Sequence, residues 1–212
     1  NADDPAAPFA YQPVEFIFPP NESFKHYDLK WVDYDSLQCV PCVDPVLAAR
    51  LQAMDVDGVL TDGGLLIGSD GTEFKIFNLL DGHGIRMWHR AGFKTALISG
   101  RQSDATKLRA EELEINFVYQ PCNNKLDCFN DLLVQSQLEP KNIAYIGDDV
   151  MDIPLIKRAG FGVAVANAVG ELKSLSHYVT SRAGGNGAVR EVIEYILKNT
   201  GAWNELMKRY LA

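Results

Sequence analysis

The feature that most restricts the fold of this chain is the alternation of short apolar runs and segments with helical spacing after residue 46. The helical spacing occurs in residues 103–113, 125–136, 151–159 and 187–197. The apolar runs end at Met54, Ile98, Tyr119, Ile146, Val165 and Val179. Continuous apolar runs are typical of strands buried on both faces, so this alternation predicts a Rossmann-like α/β fold, a parallel sheet with helices on both faces.

A β-hairpin is predicted directly after the first strand, where a crossover helix is the usual element. Residues 65–68 and 73–77 flank the turn sequence Ser69-Asp70-Gly71-Thr72, which contains the glycine typical of such turns. The two arms carry large apolar side chains on what would be an exposed element. We therefore expect another surface to cover this hairpin.

The composition divides the chain into three parts. Residues 1–45 contain seven of the ten prolines and eight of the 28 acidic residues, yet also many aromatic residues. We expect this segment to be an extended arm that lays aromatic side chains on a folded surface; a flexible extension is the alternative. Residues 46–198 are expected to form the α/β domain, and residues 199–212 a helical tail.

Charge and hydropathy exclude several classes of partner. The formal net charge of −8 argues against nucleic acid and anionic lipid. No apolar run approaches the roughly 20 residues that a membrane span needs, and no secretory signal is recognised, so we expect a cytoplasmic protein. Four cysteines are too few for a disulfide scaffold. Cys39 and Cys42 form one Cys-x-x-Cys pair without a second, which we interpret as reduced thiols rather than a zinc or redox site.

Polar residues suited to one chemistry follow the predicted strands at the points where the strands end. They are Asp55 and Asp57, then Ser99, Gly100 and Arg101, then Lys125 at a helix start, and finally Asp148, Asp149 and Asp152. The carboxyl ends of parallel strands meet at one edge of a sheet, so these groups are expected to converge. Clustered carboxylates repel one another unless a cation joins them, and an all-oxygen ligand set suits Mg²⁺. Each group alone has an ordinary explanation as a turn or helix cap, but together they predict a phosphoryl-transfer site with a carboxylate nucleophile.

These residues are similar to the four motifs of the haloacid-dehalogenase superfamily of phosphatases. Residues 55–62, Ser99, Lys125 and residues 147–152 stand in the order of those motifs. A further set resembles the small branch without a cap domain that acts on phosphorylated sugar acids, most of all the KDO 8-phosphate phosphatases: residues 65–77, 78, 81–86, 124–125 and 184–191. The resemblance extends from about residue 51 to about residue 197.

The resemblance implies the chemical roles. Asp55 would attack phosphorus and become an aspartyl-phosphate, while Asp57 would act as general acid and then general base. Mg²⁺ would be held by Asp55, by the backbone carbonyl of Asp57 and by Asp148. Its ligands or waters would be oriented by Asp149 and Asp152.

The resemblance also implies the binding roles. Ser99 and Lys125 would hold the phosphoryl oxygens. A cation at Arg101 suits the carboxylate of a sugar acid, whereas the related KDN 9-phosphate phosphatases typically have glutamate there. The implied substrate-binding residues are Lys75, Asn78, Asp81, Arg86, Gly100, Arg101 and Arg190.

The implied function is Mg²⁺-dependent hydrolysis of 3-deoxy-D-manno-octulosonate 8-phosphate to KDO and phosphate, in lipopolysaccharide biosynthesis. The alternatives are a phosphatase for KDN 9-phosphate or N-acetylneuraminate 9-phosphate, and a non-catalytic oligomerisation domain of the same fold. The non-catalytic relatives typically lack part of the acidic set, which is complete here. The resemblance further implies a homotetramer in which hairpins close neighbouring sites, and a flexible gate at residues 184–187.

The first predicted strand, residues 50–54, departs from the family pattern. Gln52 stands in the first strand, where large aliphatic residues are usual. Because burying an unpaired amide is costly, we expect its side chain to be hydrogen-bonded or to lie near a strand end.

Overall fold

The computed structural model describes residues 14–17, 38–41 and 45–211, and the chain divides into two compact units, Asn1–Asp44 and Pro45–Ala212. In the first unit, β1 (Val14–Ile17) pairs antiparallel with β2 (Gln38–Pro41). The aromatic anchoring predicted for residues 1–45 and the thiols of Cys39 and Cys42 lie outside what the structure describes.

The second unit alternates strands and helices, as the sequence predicts. Its strands are β3 (Leu51–Met54), β4 (Leu66–Ile67), β5 (Glu73–Phe74), β6 (Lys94–Ile98), β7 (Phe117–Tyr119), β8 (Ile143–Gly147), β9 (Phe161–Ala164) and β10 (Tyr178–Val179). Its helices are α1 (Pro45–Ala48), α2 (Leu79–Arg90), α3 (Asp104–Glu112), α4 (Lys125–Ser136), α5 (Ile153–Arg158), α6 (Gly170–Leu175), α7 (Ala188–Asn199) and α8 (Ala202–Leu211). Two 3-10 turns, Pro140–Asn142 and Val150–Asp152, flank β8.

Six of these strands form one sheet in the order β10-β9-β8-β3-β6-β7, with every neighbouring pair parallel. Leu51, the first residue of β3, is in register with Lys94 of β6 and Ile143 of β8. The chain runs outward from β3 to β7 and then returns to β8 on the other side of β3. This reversal opens a crevice at the carboxyl ends of β3, β6 and β8, the place where α/β sheets bind ligands.

The direction of each crossover places the helices on both faces of the sheet. The connection through α2 runs from β3 to β6, whereas that through α5 runs the opposite way, from β8 to β9. Because such connections are right-handed, α2 and α5 lie on opposite faces. Helix α7 packs against α2, and α4 packs against α5, which completes the two layers. The predicted Rossmann-like fold is confirmed.

The predicted hairpin is present as β4 and β5, in which Leu66 pairs with Phe74 and Ile67 with Glu73. Its apolar side chains face solvent within one chain: Leu66 is 62% exposed, Phe74 56% and Ile76 79%. This exposed apolar surface still needs a partner, as the sequence indicates.

Gln52 only partly follows its prediction. It lies one residue from the start of β3, near a strand end as expected, but it is fully buried. Neither its amide nitrogen nor its amide oxygen has a hydrogen-bond partner in the described part of the chain. Strand β3, in the centre of the sheet, therefore carries a buried, unpaired amide that destabilises the folded state.

The C-terminal helix α8 packs on α7 through a few half-buried side chains, of which Trp203 and Leu206 are the largest. Lys198 of α7 lies over the Trp203 ring, 4.7 Å from its centroid. Among the described helices, none combines the length and apolar character that crossing a membrane requires.

Candidate active site

Asp55 is fixed at the carboxyl end of β3 by the backbone around it. Its N–H donates to the carbonyl of Ile146 at the end of β8 (3.0 Å), which continues the strand pairing by one residue. Its Oδ1 accepts from the N–H of Val56 at 2.7 Å. The second carboxylate oxygen, Oδ2, therefore faces the crevice. The residue is 8% exposed.

Lys125 reaches Asp55 from the first turn of α4. Asn124 caps this helix by accepting from the N–H of Leu126, which fixes where the helix begins. The Lys125 ammonium donates to Asp55 Oδ2 at 2.5 Å and to Asp152 Oδ1 at 2.6 Å. Burial disfavours the charge of Lys125, but the two carboxylates outweigh it and raise the pKa of this side chain. Lys125 is thus a permanent cation beside Asp55.

Asp152 is fully buried and has four donors, two on each oxygen. Oδ1 accepts from Lys125 and from the Tyr145 hydroxyl at 2.5 Å. Oδ2 accepts from the N–H groups of Asp148 (3.0 Å) and Asp149 (3.3 Å). With its lone pairs occupied, Asp152 holds the loop after β8 and the Lys125 ammonium.

Asp148 is the carboxylate left without a partner. Its Oδ1 is buried and accepts no hydrogen bond from any described residue. Oxygens of Asp148, Asp55 and Asp152 lie within 4.8 Å of one another. Burial, followed by repulsion from Asp55 and Asp152, raises the pKa of Asp148 to about 7. Burial is also the main cause that raises the pKa of Asp55 to about 6, against the opposing effect of Lys125.

This arrangement fits a divalent cation. A cation between Asp55 and Asp148 would satisfy the orphaned oxygen and would offset both the burial and the repulsion that raise the pKa values of these carboxylates. Gly58 makes the space available: a Cβ at this position would lie 2.0 Å from Asp148 Oδ2. Its φ of +90° is also one that favours glycine.

Asp57 lies at the mouth of the same crevice and is paired with cations from two elements. Its carboxylate accepts from the Lys75 ammonium, which comes from the hairpin of the same chain. Arg101 Nε lies 4.0 Å from its other oxygen. The hairpin residue Glu73 ties the two cations together, since it accepts from Arg101 Nη2 at 2.8 Å and lies 3.6 Å from Lys75 Nζ. The Ser103 hydroxyl donates to Glu73 as well.

A cavity of about 400 Å³ opens over these groups. Its lining comprises Asp55, Asp57, Ser99, Gly100, Arg101, Lys125, Asp148, Asp149 and Met151. Ser99 is almost fully buried, and its hydroxyl oxygen accepts from the N–H of Arg101 at 3.3 Å. Every strand-end residue predicted from the sequence therefore lies in this lining or, for Asp152, directly beneath it.

Four other predicted substrate-binding residues lie away from this lining in the single chain, where they join α2 to its neighbours. Asn78 caps α2 and donates to the carbonyl of Gly185. Asp81 is buried and accepts from the N–H groups of Gly187 and Arg190. Arg86 donates to the carbonyl of Glu112, and the Arg190 side chain pairs with Glu194 at 2.6 Å.

The glycine-rich segment 184–187, which the resemblance implies to be a flexible gate, packs against the loop after Asp55. A Cβ on Gly184 would lie 1.7 Å from the carbonyl oxygen of Gly58. The N–H of Gly185 donates to the carbonyl of Val59, and Gly184 donates to the Asn167 side chain. In this structure the segment supports the loop that carries Asp57.

Two features near the site were not predicted. Cys122 and Cys128 form a disulfide that spans the loop carrying Lys125. The only signal in the sequence was their spacing across a predicted helix start. The hydrogen bond from the Tyr145 hydroxyl to Asp152 was also not predicted. Tyr145 lies within the apolar run of a buried strand, and the sequence does not distinguish it from its apolar neighbours.

The chain is similar to one protein family and to several known proteins and solved structures. Residues 118–193 match the haloacid dehalogenase-like hydrolase family. The chain is 44% identical over 156 residues to the 3-deoxy-D-manno-octulosonate 8-phosphate phosphatase KdsC of Escherichia coli K12, which covers 74% of this chain and 83% of that protein. A probable YrbI family phosphatase of Pseudomonas syringae has a similar structure, with a TM-score of 0.78 and 43% sequence identity. The match covers 79% of this chain and 96% of that protein. The 3-deoxy-D-manno-octulosonate 8-phosphate phosphatase of Moraxella catarrhalis, solved with magnesium, phosphate and KDO, has a TM-score of 0.77 and 38% identity over 78% of this chain and 95% of that one.

Proposed function

This chain belongs to the 3-deoxy-D-manno-octulosonate 8-phosphate phosphatases of the haloacid dehalogenase-like hydrolases, and we propose that it hydrolyses KDO 8-phosphate to KDO and phosphate with Mg²⁺. The observation that carries this proposal is the buried contact of Lys125 with Asp55, beside the unpartnered oxygen of Asp148. A nucleophilic carboxylate, a fixed cation and a free metal-binding oxygen thus share one cavity.

The metal ion would be held by Asp55, Asp148 and the backbone carbonyl of Asp57, and it would neutralise negative charge on the phosphoryl group. Lys125 and Ser99, which line the same cavity, would donate to phosphoryl oxygens at the same time. Together these groups hold the phosphorus in front of Asp55 and stabilise the charge that develops during transfer.

The reaction has two steps. In the first, a carboxylate oxygen of Asp55 attacks phosphorus, the bond from phosphorus to the sugar oxygen breaks, and Asp57 gives that oxygen a proton. In the second, Asp57 takes a proton from water, the water oxygen attacks phosphorus, and the acyl phosphate bond breaks to regenerate Asp55 and release phosphate.

The selectivity for a sugar acid is assigned to the cations at the cavity mouth. Arg101 lines the cavity, with about half of its side chain exposed, and the Lys75 side chain is buried against Asp57. Within the chain, Asp57 pairs with Lys75 and Glu73 pairs with Arg101. The substrate carboxylate would take the place of these partners, which also frees Asp57 for its proton transfer.

We further propose that the protein assembles as a homotetramer through its hairpin. The support is the exposed apolar surface of β4 and β5, which a single chain leaves uncovered. Light scattering at micromolar concentration should report about four subunits per particle, and a monomer would contradict this assembly.

A phosphate-release assay on the full chain with Mg²⁺ tests the activity. KDO 8-phosphate should be hydrolysed faster than KDN 9-phosphate and N-acetylneuraminate 9-phosphate. Asp55→Asn should lower kcat by more than about 1,000-fold and leave the circular dichroism spectrum unchanged. Asp104→Asn, the same change at an exposed aspartate of α3, serves as the matched control and should retain full activity. Full activity of the Asp55 variant, or no hydrolysis of any sugar-acid phosphate by the parent, would overturn the proposal.

A further inference from the structure

Tyr145 makes a contact that its position in the sheet does not require. It lies in the middle of β8 and is fully buried among apolar residues. Its hydroxyl nevertheless donates to Asp152 Oδ1 at 2.5 Å. Burial, together with the neighbouring carboxylates, raises the pKa of Tyr145 well above its ordinary value, so the hydroxyl keeps its proton and acts as the donor.

The position of the Lys125 ammonium depends on two competing carboxylates. Its nitrogen lies 2.5 Å from Asp55 Oδ2 and 2.6 Å from Asp152 Oδ1. Tyr145 and Lys125 share the same oxygen of Asp152. A second donor on that oxygen takes up part of its negative charge, and so weakens the attraction of Asp152 for the ammonium.

We propose that Tyr145 is a positioning residue for phosphoryl transfer: through Asp152 it keeps the Lys125 ammonium shared with Asp55, where it can contact the phosphoryl group. This inference rests on the proposed function, because it assigns Tyr145 a part in the chemistry of the same site. Tyr145 itself is not part of the cavity lining, and the hydrogen bond of its hydroxyl goes to Asp152.

The substitution Tyr145→Phe isolates the hydroxyl. The ring and its packing remain, and Asp152 Oδ1 keeps Lys125 as its remaining side-chain donor. The ammonium then moves toward Asp152 and away from Asp55. Because Lys125 acts on the charge that develops in transfer, kcat should fall about 10-fold while KM changes less than about twofold.

The chain offers a matched control in Tyr178. This tyrosine lies in β10 of the same sheet, and its hydroxyl donates to the carboxylate of Glu191 at 2.8 Å. Neither residue is part of the cavity lining. Tyr178→Phe removes the same kind of hydrogen bond and should leave kcat unchanged within about twofold. An equal loss of kcat in both variants would show a general effect of destabilisation and would overturn the proposal.

A double-mutant cycle tests whether Tyr145 acts through Asp152. In an Asp152→Asn background the further change Tyr145→Phe should lower the remaining kcat by less than about twofold, since the carboxylate through which it acts is gone. A full 10-fold further loss would place the action of Tyr145 elsewhere and overturn the proposal.

Crystal structures of the parent and the Tyr145→Phe variant, both free of metal, give a measurement that does not depend on turnover. The distance from Lys125 Nζ to Asp55 Oδ2 should lengthen in the variant. An unmoved ammonium, or a variant with parental kcat, would overturn the positioning role. If the parent hydrolyses no sugar-acid phosphate, the proposed function fails, and the two structures still decide whether Tyr145 positions Lys125.

Discussion

Without divalent cations, the stability of this protein should fall as pH rises from 5 to 8. Burial and neighbouring carboxylates raise the pKa of Asp148 to about 7, and burial is the main cause that raises that of Asp55 to about 6. In the unfolded chain both groups titrate near 3.8, their ordinary value. The folded state therefore binds more protons than the unfolded state between about pH 4 and pH 7. The free energy of unfolding is highest below that window and decreases as pH rises through it.

The size of this effect follows from the two pKa values. Asp148 titrates about two units above pH 5 and Asp55 about one unit above it, and each unit corresponds to about 1.4 kcal/mol. These two carboxylates should therefore lower the free energy of unfolding by roughly 4 kcal/mol between pH 5 and pH 8, against a smaller opposite contribution from His83 and His89, whose pKa values burial lowers. For a chain of this length that difference lowers the melting temperature by about 10 °C. Saturating Mg²⁺ should remove the decrease, because it binds the deprotonated carboxylates of the folded state.

Urea denaturation in EDTA at pH 5, 6, 7 and 8 measures the effect, with Asp148→Asn as the matched variant that cannot titrate. Other groups with shifted pKa values titrate in both proteins: Glu191, Glu194, His83, His89 and Asp55. The difference between the two proteins therefore isolates Asp148. The parent should lose about 3 kcal/mol or more relative to the variant between pH 5 and pH 8. A difference that stays constant over this range would refute the assignment of Asp148 as a buried, unpartnered carboxylate.

Three further substitutions test other features of the fold and the site. Gln52→Leu should raise the free energy of unfolding by about 1–2 kcal/mol in urea denaturation, because it removes a buried, unpaired amide. The control Gln102→Leu, at an exposed position, should change this free energy by less than about 0.5 kcal/mol. A loss of stability in the Gln52→Leu variant would show that the amide is paired. Gly58→Ala should weaken Mg²⁺ binding by more than about tenfold in calorimetry, because the new methyl displaces Asp148; unchanged affinity would contradict that placement. Cys128→Ser should lower the free energy of unfolding by about 2 kcal/mol under non-reducing conditions, and reduction of the parent should reproduce the loss; equal stability of the two proteins would contradict the disulfide.

The sheet could be predicted because its central strands β3, β6, β8 and β9 are buried along almost their whole length. The apolar runs predicted to end at Met54, Ile98 and Tyr119 end there as strands, since an uninterrupted apolar run has few other stable placements. The convergence of Asp55, Lys125 and Asp148 followed from the rule that parallel strands present their carboxyl ends on one edge. The resemblance to the sugar-acid phosphatases is confirmed by the relatives and by the neighbouring structures.

Contacts between distant segments could not be predicted in the same way. The contact of Lys75 with Asp57 depends on how far the hairpin folds over the site, which no local pattern encodes. The lack of a partner for Gln52 depends on what the two neighbouring strands place opposite it. Tyr145 shows the same limit, since its hydroxyl finds its partner only after the turn that carries Asp152 has formed.

The packing of Gly184 and Gly185 against residues 58–62 has a consequence for co-translational folding. The nucleophile loop emerges early, but the glycines that support it are synthesised more than a hundred residues later. Nascent chains that stop before residue 184 can form much of the sheet, but the loop next to Asp55 lacks the contacts that Gly184 and Gly185 make with it. Catalytic competence is therefore acquired late in translation, after most of the domain has already left the exit tunnel.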